Sequence, residues 1–215
     1  MNNNLTEIVF ILDRSGSMAG LEADTVGGFN AMIERQKQEP GTALLSAVLF
    51  SNNSEVLYDR VDVRKVEPMT DAQYRVGGST ALLDAIGRSI KKIADVQRST
   101  ADEYRAEKVI FIIITDGEEN SSREFSADAV RKLISTEKEQ YGWEFLFLGA
   151  NIDAVETAGR FGISADRAAE YVPDKRGTAL NYAVMSEAVS EFRSTGRVST
   201  THLDRIRKDR ADRGK

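Results

Sequence analysis

The sequence contains no cysteine and only one histidine, His202. Without cysteine there can be no disulfide, no cysteine nucleophile, no iron–sulfur cluster and no zinc site built from thiolates. A single imidazole also argues against Ser-His-Asp catalysis and against a metal site at His202. These absences remove several large classes of enzyme, and they are consistent with a reducing compartment.

The sequence also lacks long apolar runs and a signal peptide. No run approaches the roughly 20 apolar residues that a membrane-spanning helix needs, and residues 1–6 have neither a basic start nor an apolar stretch. We therefore expect a cytoplasmic protein with no membrane partner. The formal net charge of −5 argues against a nucleic-acid-binding surface over the whole domain. Nucleotide binding has no support either, since both the Gly-x-x-x-x-Gly-Lys-Ser/Thr and the Gly-x-Gly-x-x-Gly motifs are missing.

The length of 215 residues fits one α/β domain with a well-buried core. We predict a domain over residues 1–195, including a C-terminal packing helix, and a polar basic tail over residues 196–215. From Arg197 to Lys215 the tail has seven basic and three acidic residues. Such a segment could contact nucleic-acid phosphates, but a frayed, solvated C-terminus is the simpler interpretation.

Apolar runs of strand length alternate with segments whose apolar residues recur at helical spacing. The predicted strands are Glu7–Asp13, Ala43–Ser51, Glu55–Val63, Lys108–Asp116, Glu144–Gly149 and Ala169–Val172. The predicted helices are Leu21–Gln38, Ala81–Gln97, Ala127–Gln140, Asp153–Phe161 and Thr178–Arg193. This alternation predicts an α/β fold with a mostly parallel sheet covered by helices on both faces. The second and third strands are too close for a crossover helix, so a hairpin near Asn52 should make one edge strand antiparallel.

Three polar segments follow strands or loops where a parallel sheet places its binding sites. Asp13, Ser15 and Ser17 come directly after the first strand, Thr80 follows a Gly-Gly-Ser loop, and Asp116 ends the fourth strand. The carboxyl ends of parallel strands share one edge of the sheet, so we expect Asp13 and Asp116 at the same rim. Carboxylates and hydroxyls are hard oxygen donors that suit Mg²⁺ or Mn²⁺. A carboxylate from outside the chain could complete the coordination shell.

Simpler roles exist for each of these residues taken alone. Asp13 and Ser15 could cap free backbone amides before a helix, Thr80 could cap the helix that follows it, and Asp116-Gly117 could be a turn. The agreement of three separate segments favours the metal site.

Together these motifs resemble those of von Willebrand factor type A (vWA) domains that carry a metal-ion-dependent adhesion site (MIDAS). Such domains have Asp-x-Ser-x-Ser after the first strand, Thr in a Gly-x-Thr loop and Asp, usually followed by Gly, after the fourth strand. The resemblance covers about residues 5–172. It implies a Rossmann-like three-layer αβα sandwich with strand order 3-2-1-4-5-6 and a bound Mg²⁺ or Mn²⁺.

The resemblance also implies roles for the site residues. Ser15 and Ser17 would bind the metal directly, Thr80 and Asp116 directly or through water, and Asp13 through water. The function it implies is binding of an Asp or Glu from a partner protein, without catalysis. Relatives of this kind often act as adaptors beside AAA+ ATPases, and the sequence leaves the partner and the oligomeric state open.

Two other functions are considered. A Mg²⁺-dependent phosphohydrolase could use Asp13 as its phosphoryl acceptor, but such enzymes are expected to have a second Asp where this chain has Ser15. A metal-independent scaffold could contact nucleic acid through its basic tail.

Several neighbours of the motifs have expected supporting roles. Asp84 should hydrogen-bond to backbone amides of the adjoining loop rather than bind metal. Glu118 and Glu119 are expected to be solvated, and Arg14 either pairs with an incoming acidic group or is solvated. Trp143 is expected to pack in the core or at the edge of the sheet.

Overall fold

The computed structural model describes residues 2–213, with side chains from residue 4 onward. Met1, Gly214 and Lys215, which belong to the predicted domain and tail, lie outside the described residues. Strands β1–β6 span Asn2–Asp13, Thr42–Phe50, Ser54–Asp62, Ala106–Thr115, Glu144–Gly149 and Ala168–Glu170. Helices α1–α6 span Glu22–Gln38, Leu82–Ser99, Ala127–Tyr141, Ala154–Arg160, Lys175–Thr195 and Asp204–Arg213.

The six strands form one sheet in the order β3-β2-β1-β4-β5-β6. Strands β1, β2, β4, β5 and β6 pair in parallel, and β3 pairs antiparallel with β2. The sequence-based predictions of fold class, strand order and antiparallel edge strand are confirmed. The β2–β3 hairpin turns at residues 51–53, because only three residues separate the two strands.

Alternating side chains of β1 separate two hydrophobic cores. Ile8, Phe10 and Leu12 belong to the core that includes residues of α1 and α5. Val9 and Ile11 belong to the core on the opposite face, which includes residues of α2, α3 and α4. Helices therefore cover the sheet on both sides, and its carboxyl edge is left to the loops that connect strands to helices.

Helix boundaries are set by local capping signals. The side chains of Ser126, Asp153 and Asp174 accept hydrogen bonds from backbone amides in the first turns of α3, α4 and α5. Helices α3 and α5 end at Gly142 and Gly196, which adopt left-handed backbone conformations that glycine tolerates.

The C-terminal segment differs from the frayed C-terminus that the sequence analysis favoured. Residues 204–213 form α6, and Leu203 and Ile206 are buried beside α5 and β6. The sequence pattern missed this helix because its apolar residues are too few to show helical periodicity. Arginines of α6 form ion pairs with acidic residues of the same chain: Arg205 with Glu187, Arg210 with Glu170, and Arg213 with Asp174. The division at residue 195 stays a prediction.

No helix within residues 2–213 is both long enough and apolar enough to cross a membrane.

One acidic side chain lies inside the sheet layer. Glu7 on β1 is completely buried and accepts a hydrogen bond from Arg60 at 2.9 Å between Nε and Oε2, while its Oε1 has no partner among the described residues. Burial raises the pKa of Glu7 to about 7, and Arg60 offsets only part of that effect. The folded protein therefore holds a carboxyl group that resists ionisation.

Glu7→Gln should change how stability depends on pH. The Glu7 carboxyl ionises at about pH 4.5 in the unfolded chain and at about pH 7 in the folded one. Its contribution is therefore fully present below the unfolded pKa and is lost as the pH rises through the folded pKa. Relative to the variant, the natural protein should lose roughly 3 kcal/mol of unfolding free energy across this window.

Urea unfolding of both proteins, at about pH 5 and about pH 8, measures this difference. The exposed Glu103, changed to Gln, is the matched control and should follow the natural profile. Parallel pH profiles for the natural protein and Glu7→Gln would show that the buried carboxyl does not control stability.

Candidate metal centre

The first motif begins at the carboxyl end of β1. Asp13 is 1% exposed, and both of its carboxylate oxygens are engaged. Oδ1 accepts the backbone N–H of Ser15 at 2.7 Å, and Oδ2 accepts the hydroxyl of Thr115 at 2.6 Å. The backbone carbonyl of Asp13 accepts the hydroxyl of the buried Tyr74. These contacts fix the point at which the chain leaves the sheet.

The two serines after Asp13 share one side of their loop. The hydroxyl oxygens of Ser15 and Ser17 lie 3.0 Å apart. Backbone hydrogen bonds join this loop to the glycine loop before Thr80: Gly16 N–H to the Gly78 carbonyl, and Gly77 N–H to the Arg14 carbonyl. The two predicted loops are therefore neighbours in space.

Gly78 allows the second loop to approach this closely. Its φ is +85°, and a Cβ atom at this position would lie 1.8 Å from Oδ1 of Asn52. That same Asn52 oxygen accepts the backbone N–H of Ser79 at 2.8 Å. A side chain at position 78 would therefore both strain the backbone and displace the contact that holds the loop.

The third segment meets the first two at Gly117. A Cβ atom built on Gly117 would lie 3.2 Å from the Ser17 hydroxyl and 3.4 Å from the Thr80 hydroxyl. Asp116, directly before it, is 1% exposed. The structure thus brings all five residues of the predicted metal site together: Asp13, Ser15, Ser17, Thr80 and Asp116.

The charge state of this cluster is unusual for a protein interior. Both carboxylate oxygens of Asp116 lack a hydrogen-bond partner, and neither Asp13 nor Asp116 forms an ion pair with any residue from 4 to 213. Burial raises the pKa of Asp13, against opposing hydrogen bonds from Ser15 and Thr115. Burial also raises the pKa of Asp116, the nearby Asp13 adds to the increase, and the Ser17 hydroxyl offsets part of it.

Two buried carboxylates with no cationic side chain beside them are costly unless a cation binds there. The remaining donors are hydroxyl oxygens, so a hard divalent ion fits the site chemically. In the described part of the chain, no three His, Cys, Asp or Glu side chains cluster in a way that could hold a metal. A metal ion bound here would need the serine and threonine hydroxyls as ligands in addition to the carboxylates.

The capping alternatives are not observed for Ser15 and Thr80. Ser15 precedes a short 3₁₀ turn, Gly16–Met18, without a capping hydrogen bond from its side chain. The residue that caps α2 is Ala81, and its neighbour Thr80 supplies no side-chain cap. Both hydroxyls are therefore free of that structural role.

The first turn of α2 is capped instead by the loop that follows Asp116. Oε2 of Glu119 accepts the backbone N–H of Leu83 at 2.8 Å, and the Ser122 hydroxyl accepts that of Asp84 at 3.0 Å. Glu119 was expected to be solvated, and that prediction is wrong because this contact and others within the loop engage its carboxylate. Glu118 is exposed, as expected.

Asp84 holds the same loop from the helix side, as predicted. Its carboxylate accepts the backbone amides of Arg123, Glu124 and Phe125, each at 2.9 Å. Burial alone would raise the pKa of Asp84, but these three amides outweigh it and lower the pKa below its ordinary value. These hydrogen bonds hold the loop after β4 against the start of α2.

Asn120 connects the same loop to Thr80 by two further hydrogen bonds. Its Oδ1 accepts the Thr80 N–H at 2.8 Å, and its own N–H donates to the Thr80 carbonyl at 3.1 Å. The roles of Asn120, Thr115 and Tyr74 could not be predicted from the sequence, because they depend on contacts between distant segments. Two of them lie near Asp116 in the sequence: Thr115 directly precedes it, and Asn120 follows it four residues later.

Arg14 and Trp143 have defined places. The guanidinium of Arg14 lies 2.8 Å from the Glu55 carboxylate at the rim. Arg14 is therefore paired with an acid of the same chain. Trp143 is buried and stacks on Phe111 with ring centroids 5.6 Å apart, which confirms the prediction that it packs in the core.

Comparison with protein families places most of the chain in one of them. The model for the von Willebrand factor type A domain matches residues 7–176. Comparison with curated proteins gave no match.

Three solved structures illustrate the similarity of fold. Proximal thread matrix protein 1 from the mussel byssus, with a zinc-occupied MIDAS motif, is 12% identical with a TM-score of 0.59, covering 88% of this chain and 47% of its own. A von Willebrand factor type A protein from Catenulispora acidiphila is 14% identical with a TM-score of 0.56, covering 87% and 43%. The manganese-loaded TRAP protein of Plasmodium vivax is 16% identical with a TM-score of 0.50, covering 69% and 58%.

At these identities the similarity shows the fold alone. The chain spans less than half the length of the mussel and Catenulispora structures.

Asp84→Ala should destabilise the protein, because the Asp84 carboxylate holds the amides of Arg123, Glu124 and Phe125. Three backbone amides would lose a charged acceptor, which predicts a loss of roughly 2–4 kcal/mol in unfolding free energy near neutral pH. Because the folded pKa is lowered, this contribution is present above the unfolded pKa and is lost as the pH falls through the folded one. Urea unfolding at neutral and acidic pH measures both effects, with the exposed Asp71→Ala as the control. An unchanged urea midpoint for Asp84→Ala would show that the hydrogen bonds of Asp84 do not stabilise the fold.

Proposed function

The chain belongs to the von Willebrand factor type A domain family, and we propose that it is a metal-dependent protein-binding module with a working MIDAS. In this proposal Asp13, Ser15, Ser17, Thr80 and Asp116 hold one Mg²⁺ or Mn²⁺ ion. A carboxylate from an Asp or Glu of a partner protein completes the coordination shell. Bound metal would supply an electrophilic anchor for that carboxylate, and the chain's own residues would fix where it lies.

One observation carries this proposal. Two carboxylates, Asp13 and Asp116, are buried near each other, and no Lys, Arg or His among residues 4–213 forms an ion pair with either. The hydroxyls of Ser15, Ser17 and Thr80 lie close by. Such an arrangement is stable when a divalent cation neutralises it. Two carboxylates balance the ion's charge and leave coordination positions for water or for an external acid.

The hydrogen bonds support different roles for the two acids. Both oxygens of Asp13 are already engaged by Ser15 and Thr115, which fits an indirect role through water. Both oxygens of Asp116 lack a hydrogen-bond partner in the described part of the chain, which fits direct or near-direct contact with the ion. The hydroxyls of Ser15 and Ser17 lie 3.0 Å apart, with Ser15 beside Asp13 and Ser17 beside Asp116, which suits direct ligands of one ion.

The ion itself is part of the proposal. The mussel protein holds zinc in its MIDAS motif and the Plasmodium protein is loaded with manganese, so this fold accepts more than one divalent metal. Here every candidate donor is oxygen, which favours Mg²⁺ or Mn²⁺ over zinc because zinc sites usually include nitrogen or sulfur donors.

We propose a cytoplasmic adaptor that presents its metal face to an acidic side chain of a protein partner, with an AAA+ ATPase as one candidate. A second copy of this chain could supply the same acid. The ion pairs of the α6 arginines argue against a role of α6 in nucleic-acid binding, because internal acids already neutralise much of its charge.

We also propose that the protein is not a phosphohydrolase. A phosphoryl acceptor has to reach its substrate, but Asp13 is 1% exposed and both its oxygens accept hydrogen bonds. The one imidazole, His202, pairs with Glu191 on the opposite end of α5 from the site. Hydrolysis of phosphate esters that disappears in Asp13→Asn would contradict this assignment.

Metal should stabilise the folded protein. At about 100 times its dissociation constant, Mg²⁺ or Mn²⁺ should add roughly 2.7 kcal/mol to the unfolding free energy and raise the melting temperature by about 5–10 °C. Asp116→Asn should lose most of this shift, yet melt no lower than the natural protein in chelator, because it removes a buried unpartnered charge.

Thermal unfolding in chelator and across a metal titration measures both parts. Asp71→Asn, an exposed acid on a loop, is the matched control and should keep the full shift. A metal shift that persists in Asp116→Asn would place the ion elsewhere.

Partner binding should require both the ion and an acid. We expect the metal-loaded protein to bind peptides that contain Glu on an array and to ignore the same peptides with Gln in its place. Chelator or Thr80→Ala should abolish the signal, and Thr80→Ser, which keeps the hydroxyl, should retain it.

Sedimentation of the protein alone with metal tests whether a second copy supplies the acid. Peptide binding that survives in chelator would defeat the proposed mechanism.

A further inference from the structure

One exposed charge lies next to the candidate metal centre. Glu118 follows Asp116 by two residues, and its side chain forms no hydrogen bond or ion pair with residues 4–213. Consecutive Cα atoms are about 3.8 Å apart, so the Cα atoms of these two residues lie within about 8 Å of each other. A protein that binds at the metal therefore also meets the charge of Glu118.

Other charged side chains near the metal site are engaged or lie on another side of it. Arg14 pairs with Glu55, and the Glu119 carboxylate accepts backbone amides. Arg75 is exposed and unpaired in the described chain, but the glycine loop after it contacts the loops that follow β1 and β2. Glu118 is therefore the unpaired charge on the side of β4 and β5.

Glu118 also forms one wall of an open cleft of about 510 Å³. Residues 151–155, which follow β5, form another wall. Directly before them, the Ala150 N–H bonds to the carbonyl of Thr115 at 3.0 Å, one residue before Asp116. The cleft therefore adjoins the metal centre on the side of β5.

The charged side chains that line the cleft leave it negative. Arg210 lies in the wall, but it already pairs with Glu170 at 2.7 Å. Glu118 and Asp153 have no basic partner among residues 4–213. Asp153 is exposed, and its Oδ1 accepts the Glu156 N–H at the start of α4. Two carboxylates therefore remain without a counter-charge, and they attract a cationic group that enters the cleft.

The cleft has an apolar surface as well. Val155, in the first turn of α4, is 42% exposed, and the mostly buried Ile152 lies in the same wall. Lysine and arginine have long apolar stems that pack on such surfaces while their charged ends stay in water. An exposed valine next to two unpaired acids therefore fits a basic side chain better than an acidic or a purely apolar one.

A basic group beside the metal also offsets a repulsion. The acid that the proposed function brings to the ion has the same charge as Glu118, so Glu118 opposes its approach. A lysine or arginine on the same partner segment pairs with Glu118 and turns the repulsion into attraction. Charge pairs of this kind at the edge of an interface mainly decide which partners bind.

We propose that Glu118 selects the partner of the metal site: a protein segment in which Lys or Arg lies within about three residues of the metal-binding Asp or Glu. An extended chain advances about 3.3 Å per residue, so three residues span the distance from the metal centre to the cleft. The basic end group pairs with Glu118 and Asp153, and its stem packs on Val155. Glu118 can act in this way only if the metal site binds an acid, so the selection rests on the proposed function.

Fluorescence anisotropy with short labelled peptides at saturating Mn²⁺ tests this selection. Each peptide has one Glu in a Gly-Ser background, and Lys, norleucine or a second Glu is placed one, two or three residues away on either side. At the best position we expect the Lys peptide to bind about two- to fivefold tighter than the norleucine peptide, and the second-Glu peptide to bind more weakly than both. Raising NaCl from about 50 to about 500 mM should reduce the difference.

Glu118→Gln is the decisive variant. It removes the charge, so the Lys and norleucine peptides should bind it equally, while metal-dependent binding of the norleucine peptide persists. Asp153→Asn keeps the capping oxygen and should reduce the preference for Lys in part. Two matched controls should keep the full preference: Glu103→Gln, in the turn before β4, and Arg75→Gln, on the other side of the metal site.

Three results would overturn the selection by Glu118. The first is equal binding of the Lys and norleucine peptides by the natural protein, and the second is a preference for Lys that persists in Glu118→Gln. The third is Mn²⁺ binding at least about tenfold weaker in Glu118→Gln, measured by melting temperature across a Mn²⁺ titration, because Glu118 would then act on the ion. If no Glu peptide bound in a metal-dependent way, the proposed function itself would be contradicted, and the selection with it.

Discussion

The burial of two carboxylates at the ends of adjacent parallel strands is the constraint on which the candidate site depends. β1 and β4 run side by side in register, with Leu12 opposite Ile114, so the residues that follow must leave the sheet together. Asp13 and Asp116 therefore lie at one rim, both almost fully buried. Their mutual repulsion and desolvation oppose folding unless a cation is present, and the surrounding hydroxyls are placed where such an ion would take its ligands.

A shell of hydrogen bonds keeps this unfavourable arrangement in place. Thr115 and Ser15 donate hydrogen bonds to the Asp13 carboxylate. Asn120 bonds to both the backbone N–H and the backbone carbonyl of Thr80. The Asp84 carboxylate accepts backbone amides of the loop after β4. None of these contacts neutralises Asp116, whose carboxylate oxygens have no hydrogen-bond partner within residues 4–213. These hydrogen bonds fix the positions of the site residues and leave the charge of Asp116 to be neutralised by a ligand. Metal sites usually show this division between supporting residues and binding residues.

Much of this organisation could be predicted from the sequence, and the reason is periodicity. The run Val109–Thr115 within β4 is so apolar that its buried position follows from composition alone, and Asp116 after it marks the rim. Contacts between distant segments carry no such pattern. Glu119 looked like a solvated acid and instead caps α2, and α6 has too few apolar residues for its helical packing to show. These elements are fixed by tertiary contacts, which a single sequence does not display.

We propose that one divalent ion binds between the three loops. Anomalous diffraction from crystals grown with Mn²⁺ tests it most directly, because manganese can be located independently of any assumption about its ligands. We expect a single strong peak within about 2.5 Å of the Ser15 and Ser17 hydroxyl oxygens, next to Asp116. Manganese density at another acidic cluster, or none at saturating Mn²⁺, would contradict it.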